Sequence, residues 1–284
     1  MPIFGRDESG SRLGAGCLVR LIILLVLAAI PLVSYWRLRS HNPVTGEIQH
    51  VNLSREQEVA LGLQAAAEMA SQFGGLDRDS ELQLRVDGIG RRIVDRSDAA
   101  QGEYPFQFRV LADMETVNAF ALPGGQVFIT RALLDRLKTD GQVAGVLAHE
   151  ITHVIGRHSA EHIAKAELTQ GLTGAMVMAT YDPGNPASMQ TAQVAMLIGQ
   201  LINLKYGRND EIESDQRGVK YMSQGGYDPR AMIDVMKVLA AASEGRGSPP
   251  EFFSTHPNPE NRIERIEQAI KELYPQGVPE NLEE

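Results

Sequence analysis

The sequence predicts an α+β domain, mostly helical, with a small β-sheet beside the helix that bears its reactive residues and one apolar helix ahead of both. Three observations carry that prediction. Apolar residues recur at helical spacing over most of residues 53–273, the period switches to two only between Tyr104 and Thr130, and residues 21–36 (LIILLVLAAIPLVSYW) are nearly all apolar. The chain has 284 residues, 43% of them hydrophobic, enough to bury a proper core. Its net charge of −9 is uneven: five arginines against Asp7 and Glu8 make the first forty residues +3, leaving −12 for the rest. The folded part has no cluster of lysines and arginines, so no nucleic-acid partner is expected. Cys17 stands alone, which removes an intramolecular disulfide and a cysteine metal site.

Residues 1–40 read as an N-terminal cytoplasmic segment and membrane anchor. The span covers about residues 17–36, with Arg20 snorkelling to one interface and Tyr35 and Trp36 suited to the other. A cleaved signal peptide is the competing reading, but no small-x-small site follows the apolar run. The arginines on the two flanks are too even to set orientation by count. A single-pass anchor with the main domain on the exported side is the expectation. Residues 41–52, holding Asn42-Pro43 and Gly46, read as a linker in which His41 and His50 are solvated.

Ser54 with Gln57 three residues on forms a capping box, opening a helix to about Gln72 whose apolar positions are Val59, Leu63 and Ala66. Gly74-Gly75 ends it. A second helix over residues 79–96 carries Leu82, Val86, Ile89 and Ile93 at helical spacing, with Gly88 and Gly90 as points of close packing. Phe106, Phe108 and Val110 then alternate with polar residues. Residues 118–121 and 126–130 flank Leu122-Pro123-Gly124-Gly125 as a hairpin. An open strand edge here would pair with an extended peptide, which makes Asn118, Gln126, Val127 and Phe128 the expected substrate contacts. The same residues read equally as a purely structural hairpin. Residues 131–137 form a short helix, and Thr139-Asp140 caps the next.

That next helix carries Val146-Leu147-Ala148-His149-Glu150-Ile151-Thr152-His153 and is expected to continue past Gly156 to about Leu168. His149 and His153, four apart, share one face and can offer ring nitrogens to one metal ion. Glu150 lies beside that face, placed to take a proton from an attacking water without being a ligand. His158 and His162 fall well round such a helix and are assigned to the surface or to a layer behind the site. Residues 171–206 hold two apolar, methionine-containing segments separated by Asp182-Pro183-Gly184-Asn185-Pro186, expected as a helical hairpin over the site.

A catalytic zinc wants three protein ligands and an open position. Glu211, on a second helix, supplies the carboxylate that the two histidines lack, and Asp215, one turn on, is placed to accept the free N–H of a ligand histidine. After Tyr227-Asp228-Pro229 a helix runs to about Ala242. Ser254-Thr255-His256-Pro257-Asn258-Pro259 opens the last helix, residues 260–273, and residues 276–284 are a loose acidic tail. His256 is read as a catalytic group that stabilises the oxyanion or swings in as a temporary fourth ligand; as a plain helix-entry residue it would also be unremarkable.

Together these motifs resemble the M48 family of zinc metallopeptidases, the group of the CAAX prenyl protease and of bacterial envelope quality-control and heat-shock proteases. The resemblance covers residues 53–273. It rests on residues 118–125 (NAFALPGG), residues 146–158, Glu211-x-x-x-Asp215 with Gly218, and Ser254-Thr255-His256-Pro257. It implies a zincin-like fold with one Zn²⁺ per chain, bound by His149, His153 and Glu211, with Glu150 as the base. The implied activity is zinc-dependent endopeptidase cleavage of unfolded, misfolded or membrane-associated polypeptides. Gly207 and Ser214 depart from the family's more usual Ser and Ala, which bears on fine positioning beside the ligand. A zinc-bound chaperone or adaptor that holds misfolded proteins without cutting them is the alternative, against which an intact Glu150 argues. A purely structural zinc site would need His256 as a permanent ligand. Neither the oligomeric state nor a particular substrate is written in these motifs.

Overall fold

Capping at Ser54 sets the start of α2 (Arg55–Gln72). The Ser54 side chain accepts from the Gln57 backbone N–H while the Gln57 side chain accepts from the Ser54 N–H. This is a computed structural model, and it describes residues 15–178, 205–243, 250–257 and 261–284. Ahead of α2 come α1 (Ala15–Arg37) and two short strands, β1 (Arg39–His41) and β2 (Ile48–His50). After it come α3 (Ser80–Arg96), a 3-10 turn (Asp98–Gly102), β3 (Gln107–Leu111), β4 (Ala119–Leu122) and β5 (Gln126–Thr130). The remaining helices are α4 (Arg131–Leu134), α5 (Asp140–Ile155), α6 (His158–Met178), α7 (Arg208–Gly225), α8 (Ala231–Ser243), α9 (Phe252–Thr255) and α10 (Arg262–Leu273).

The strand order is β3-β5-β4, with β5 parallel to β3 and antiparallel to β4. Alternation along the strands separates two apolar layers. Phe108, Val110, Ala119, Ala121, Val127 and Ile129 join the main core with α3 and α5; Phe120, Leu122 and Phe128 join Leu61, Ala65 and Met69 of α2. Each fully buried side chain of this size contributes about 1.5–3 kcal/mol. The β4–β5 turn is left-handed at Gly124 (φ 80°) and sits so close to α2 that a Cβ there would lie 2.3 Å from the Val59 Cα. On the other side of the sheet Gly90 lies against the Phe108 ring, whereas Gly88 faces open space, so only one of that pair is a packing glycine.

Four expectations are corrected. The buried face of α2 is Glu58, Leu61, Gly62, Ala65 and Met69, rotated from Val59, Leu63 and Ala66; Leu63 is 51% exposed. Residues 41–52 are not a loose linker: β1 and β2 pair antiparallel, and buried Asn42 donates from Nδ2 to the Ile155 carbonyl at 2.7 Å. His41 is exposed as expected, but His50 stacks on Tyr35 with ring centres 4.6 Å apart. The acidic tail is tied down, since the Asp228 N–H donates to the Glu283 carbonyl at 2.8 Å, the Glu283 N–H to the Gly226 carbonyl at 3.0 Å, and Arg92 pairs with the Glu283 carboxylate.

The fourth correction bears on the site. The motif helix does not run on to Leu168. It stops at Ile155, Gly156 caps it, and Arg157 turns left-handed (φ 58°) so that α6 sets off in a new direction. Arg157 is held in that conformation by ion-pairing with buried Glu58 at 3.1 Å and by donating to the Leu53 carbonyl at 2.5 Å. The expected hairpin over residues 171–206 lies largely outside the described residues. Helix α1 packs on α6, as the approach of Pro31 to Gly171 records, and presents a row of exposed apolar residues including Ile22, Leu25, Val26, Ile30 and Val33. Among the described residues no helix is long and apolar enough to cross a membrane.

Candidate metal centre

Helix α5 is buried along nearly its whole length, from Gly141 to Ile155, so its polar motif residues must find partners inside the protein. His149 is 3% exposed, Glu150 0% and His153 1%. Helix α7 crosses α5 and turns Glu211, Ser214 and Asp215 toward it, all buried. The short α9 ends at His256, which is fully buried with its ring stacked on Phe252 at 4.4 Å.

Four side chains converge, each offering one donor atom: His149, His153, Glu211 and His256, with all four atoms within 4.8 Å of one another. His149 Nε2 lies 3.1 Å from His153 Nε2 and 3.4 Å from His256 Nδ1. Glu211 places Oε1 3.1 Å from His256 Nδ1 and 3.5 Å from His153 Nε2, and Oε2 3.5 Å from His149 Nε2. Tetrahedral zinc with metal–nitrogen bonds of about 2.0–2.1 Å needs ligand atoms roughly 3.3–3.4 Å apart. The five separations run from 3.1 to 3.5 Å, close to that spacing, and the whole donor set lies within 4.8 Å. The donor set, two or three imidazoles with one carboxylate, is also the chemistry zinc takes.

Glu150 sits at the rim of this cluster with both carboxylate oxygens buried and without a hydrogen-bond partner; His256 Nε2 is 3.5 Å from its Oε1. Burial pushes the Glu150 carboxyl above its usual range, against the opposing pull of His256 and His149. Burial also opposes ionisation of Glu211, yet His256 and His149 outweigh it and hold Glu211 well below the usual carboxylate range. For His149, burial works downward, while hydrogen bonds to Asp215 and Glu211 outweigh it and lift the imidazole to about 9. Burial, reinforced by His149, His158 and His256, depresses His153 well below the ordinary histidine value.

The outer nitrogens of both motif histidines are also engaged. His149 Nδ1 lies 3.0 Å from Asp215 Oδ1, the contact expected of Asp215. Arg262 was not anticipated from the sequence. It is 3% exposed, donates from Nε and Nη2 to the two Asp215 oxygens at 2.7 and 2.8 Å, and places Nη1 3.4 Å from Glu211 Oε2. A cation in the first turn of a helix runs against the helix dipole, and that local oddity was the available signal. His153 Nδ1 meets His158 Nδ1 at 2.9 Å, while His162 pairs with Asp210 at 2.7 Å. His158 therefore sits directly behind a donor histidine, while His162 is a partly exposed residue paired with Asp210.

The expected substrate residues divide. Gln126, Val127 and Phe128 lie on β5, the middle strand, whose backbone is paired on both sides, so they offer no open edge. That is a correction, and its cause is the parallel pairing of β3 with β5, a long-range contact that local periodicity does not encode. Asn118 leads into β4, an outer strand, and its Oδ1 is buried without a partner. Beside it the Phe252 N–H donates to the Val117 carbonyl at 3.2 Å, and the Tyr206 hydroxyl to the Ala121 carbonyl at 3.4 Å. The Tyr206 ring stacks on His153 at 3.7 Å.

A family model described as Peptidase family M48 matches residues 80–270, a stretch holding all four donors, Glu150, Asp215 and Arg262. The chain belongs to peptidase family M48. It is 30% identical over 243 residues to the beta-barrel assembly-enhancing protease of Yersinia pestis, covering 82% of this chain and 48% of that protein. It is 31% identical over 242 residues to the mitochondrial metalloendopeptidase OMA1 of Schizosaccharomyces pombe, covering 84% of this chain and 69% of that protein. The chain thus spans about half the length of the first relative and about two thirds of the second. Membership of M48 meets the resemblance drawn from the motifs and makes this chain a metallopeptidase.

Proposed function

We propose that this M48 chain is a zinc-dependent endopeptidase that hydrolyses peptide bonds in unfolded, misfolded or membrane-associated proteins, working on the exported side of a membrane that holds its N-terminal segment. The observation that carries the reading is Glu150: a fully buried carboxylate with neither oxygen hydrogen-bonded, at the rim of four converging donors. A structural metal site or a non-cutting adaptor has no use for such a group.

His149, His153 and Glu211 would hold one zinc ion, which when bound supplies the Lewis acidity that brings a water toward a pKa of about 7 and polarises a carbonyl. Glu150 accepts the proton of the attacking water, helped by the burial that raises its affinity for protons, and hands it to the departing amine. His256 stands over Glu150 by its Nε2 and beside Glu211 by its Nδ1, positions that suit oxyanion stabilisation and also a fourth ligand. Asn118 is the substrate contact that the sheet order leaves available, next to the outer strand β4. The exposed apolar row of α1, with Trp36 and Arg37 at its end, supports attachment to a membrane.

The test is cleavage of a disordered polypeptide by wild type and Glu150→Gln, purified in detergent with zinc quantified in both. Both forms should carry one zinc, and only the wild type should cut. Cleavage by Glu150→Gln would overturn the role of Glu150, and a zinc-loaded wild type that binds without cutting would favour the adaptor.

A further inference from the structure

The two motif histidines are held from behind in different ways. His149 rests on the carboxylate of Asp215, itself neutralised by Arg262. His153 has no carboxylate behind it; its Nδ1 faces Nδ1 of His158, 2.9 Å away, in a site where both rings are buried. His158 Nε2 in turn lies 3.4 Å from Glu213 Oε2, and the other Glu213 oxygen accepts from Arg217 Nε at 2.6 Å. Arg217 also donates to the Thr45 carbonyl at 2.5 Å, in the β1–β2 connection.

Hydrogen-bond logic fixes the protons along this chain. For His153 to offer Nε2 as a lone-pair donor its proton must sit on Nδ1, so His158 Nδ1 must accept and His158 Nε2 must carry a proton toward Glu213. The backbone is shaped for this contact. Gly156 leaves room for the His158 ring, whose Nε2 would be 2.4 Å from a Cβ at that position, and the left-handed Arg157 swings α6 so that its first residue folds back over the end of α5. In an unbroken helix His158 would lie about 140° round from His153.

We infer that His158 is the positioning residue of His153: it fixes that ligand's tautomer and ring orientation through an imidazole-to-imidazole hydrogen bond backed by Glu213. This rests on the metal-site reading above and adds to it a residue that touches neither metal nor substrate. The bond strength of His153 toward the metal is thereby set through a neutral relay, while His149 is set by a carboxylate directly.

The test is zinc affinity by chelator competition for wild type, His158→Phe, His158→Asn and Glu213→Gln. Phe preserves ring bulk and removes the acceptor; Asn places an oxygen where Nδ1 stood and is well accepted at a helix start. His158→Phe should lose about 10- to 100-fold in zinc affinity, and His158→Asn should recover most of it. Glu213→Gln should fall between wild type and His158→Phe. Thermal unfolding of the zinc-stripped proteins separates this from folding, because the Phe and Asn variants should unfold within a few degrees of each other. Equal zinc affinity of wild type and His158→Phe would overturn the inference, as would an Asn variant as weak as Phe. A wild type that takes up no zinc would instead overturn the reading of the site itself.

Discussion

Arg262 and Asp215 form a two-pronged ion pair in the interior, at 2.7 and 2.8 Å, with each side chain about 3% exposed. Planar guanidinium matches carboxylate here in the way lysine cannot. Removing one partner of such a pair strands the other's charge. Arg262→Leu should therefore destabilise the fold by about 3–5 kcal/mol. Arg262→Lys should fall between, keeping charge but losing the fork. Urea midpoints of the two variants check this, and a Lys variant as stable as wild type would show that geometry is irrelevant at this pair.

Close approach of α2 to the β4–β5 turn gives a second expectation. A Cβ on Gly62 would lie 1.9 Å from the Pro123 carbonyl oxygen, so Gly62→Ala must push helix and turn apart at about 1–3 kcal/mol. Gly88, exposed on α3 with nothing within 4 Å of a Cβ, is its control. Gly88→Ala should stabilise by about 0.5–1 kcal/mol through helix propensity alone. Opposite shifts of the two melting curves are the readout.

Ser214 lies between Glu211 and Asp215 on α7, fully buried, with its hydroxyl lacking any hydrogen-bond partner. A buried polar group without a partner carries a desolvation cost that alanine does not. Ser214→Ala should raise stability by about 1 kcal/mol and leave peptide cleavage intact. A destabilised variant would mean that the hydroxyl is paired.

Glu58 supplies the pH dependence. Burial pushes its carboxyl above the ordinary glutamate value of about 4.5, against the Arg157 guanidinium and the Tyr104 hydroxyl that approach it. The folded chain thus takes up this proton at a higher pH than the unfolded chain does. Its contribution is fully present below about 4.5 and is lost as pH rises through the folded value. The stability of wild type relative to Glu58→Gln should improve as pH falls from 7 toward 5. A difference that stays flat over that range would contradict the shift.

The cluster at the centre was legible in the sequence because its geometry is local: a step of four positions from His149 to His153, and another from Glu211 to Asp215, fixes two helix faces without reference to the rest of the fold. The capping box at Ser54 and the glycine turn at Gly124 were legible for the same reason. The losses came from long-range contacts. Charged Glu58 is buried because Arg157 and Tyr104 wait for it from distant parts of the chain, so hydropathy alone set the α2 face wrongly. Arg157 reads as an ordinary helix residue until Leu53 and Glu58 are seen to hold it left-handed; the unbroken helix fails there, although His158 still lies in the layer behind the donors where it was expected. Arg262 and the middle position of β5 likewise depend on partners more than forty residues away or on strand order.

Asn42 donates to the Ile155 carbonyl, one of the last carbonyls of α5 and without a partner along its own helix, while its Oδ1 gathers the N–H groups of Val44 and Thr45. The segment leaving α1 is therefore a stopper on the helix that bears His149 and His153. A shortened version of this peptidase that leaves out α1 has to begin before Arg39, so that both strands of the β1–β2 pair and Asn42 come with it. Cutting at Leu53 instead, where the M48-like motifs begin to be readable, would unplug the metal-bearing helix at its C-terminal end.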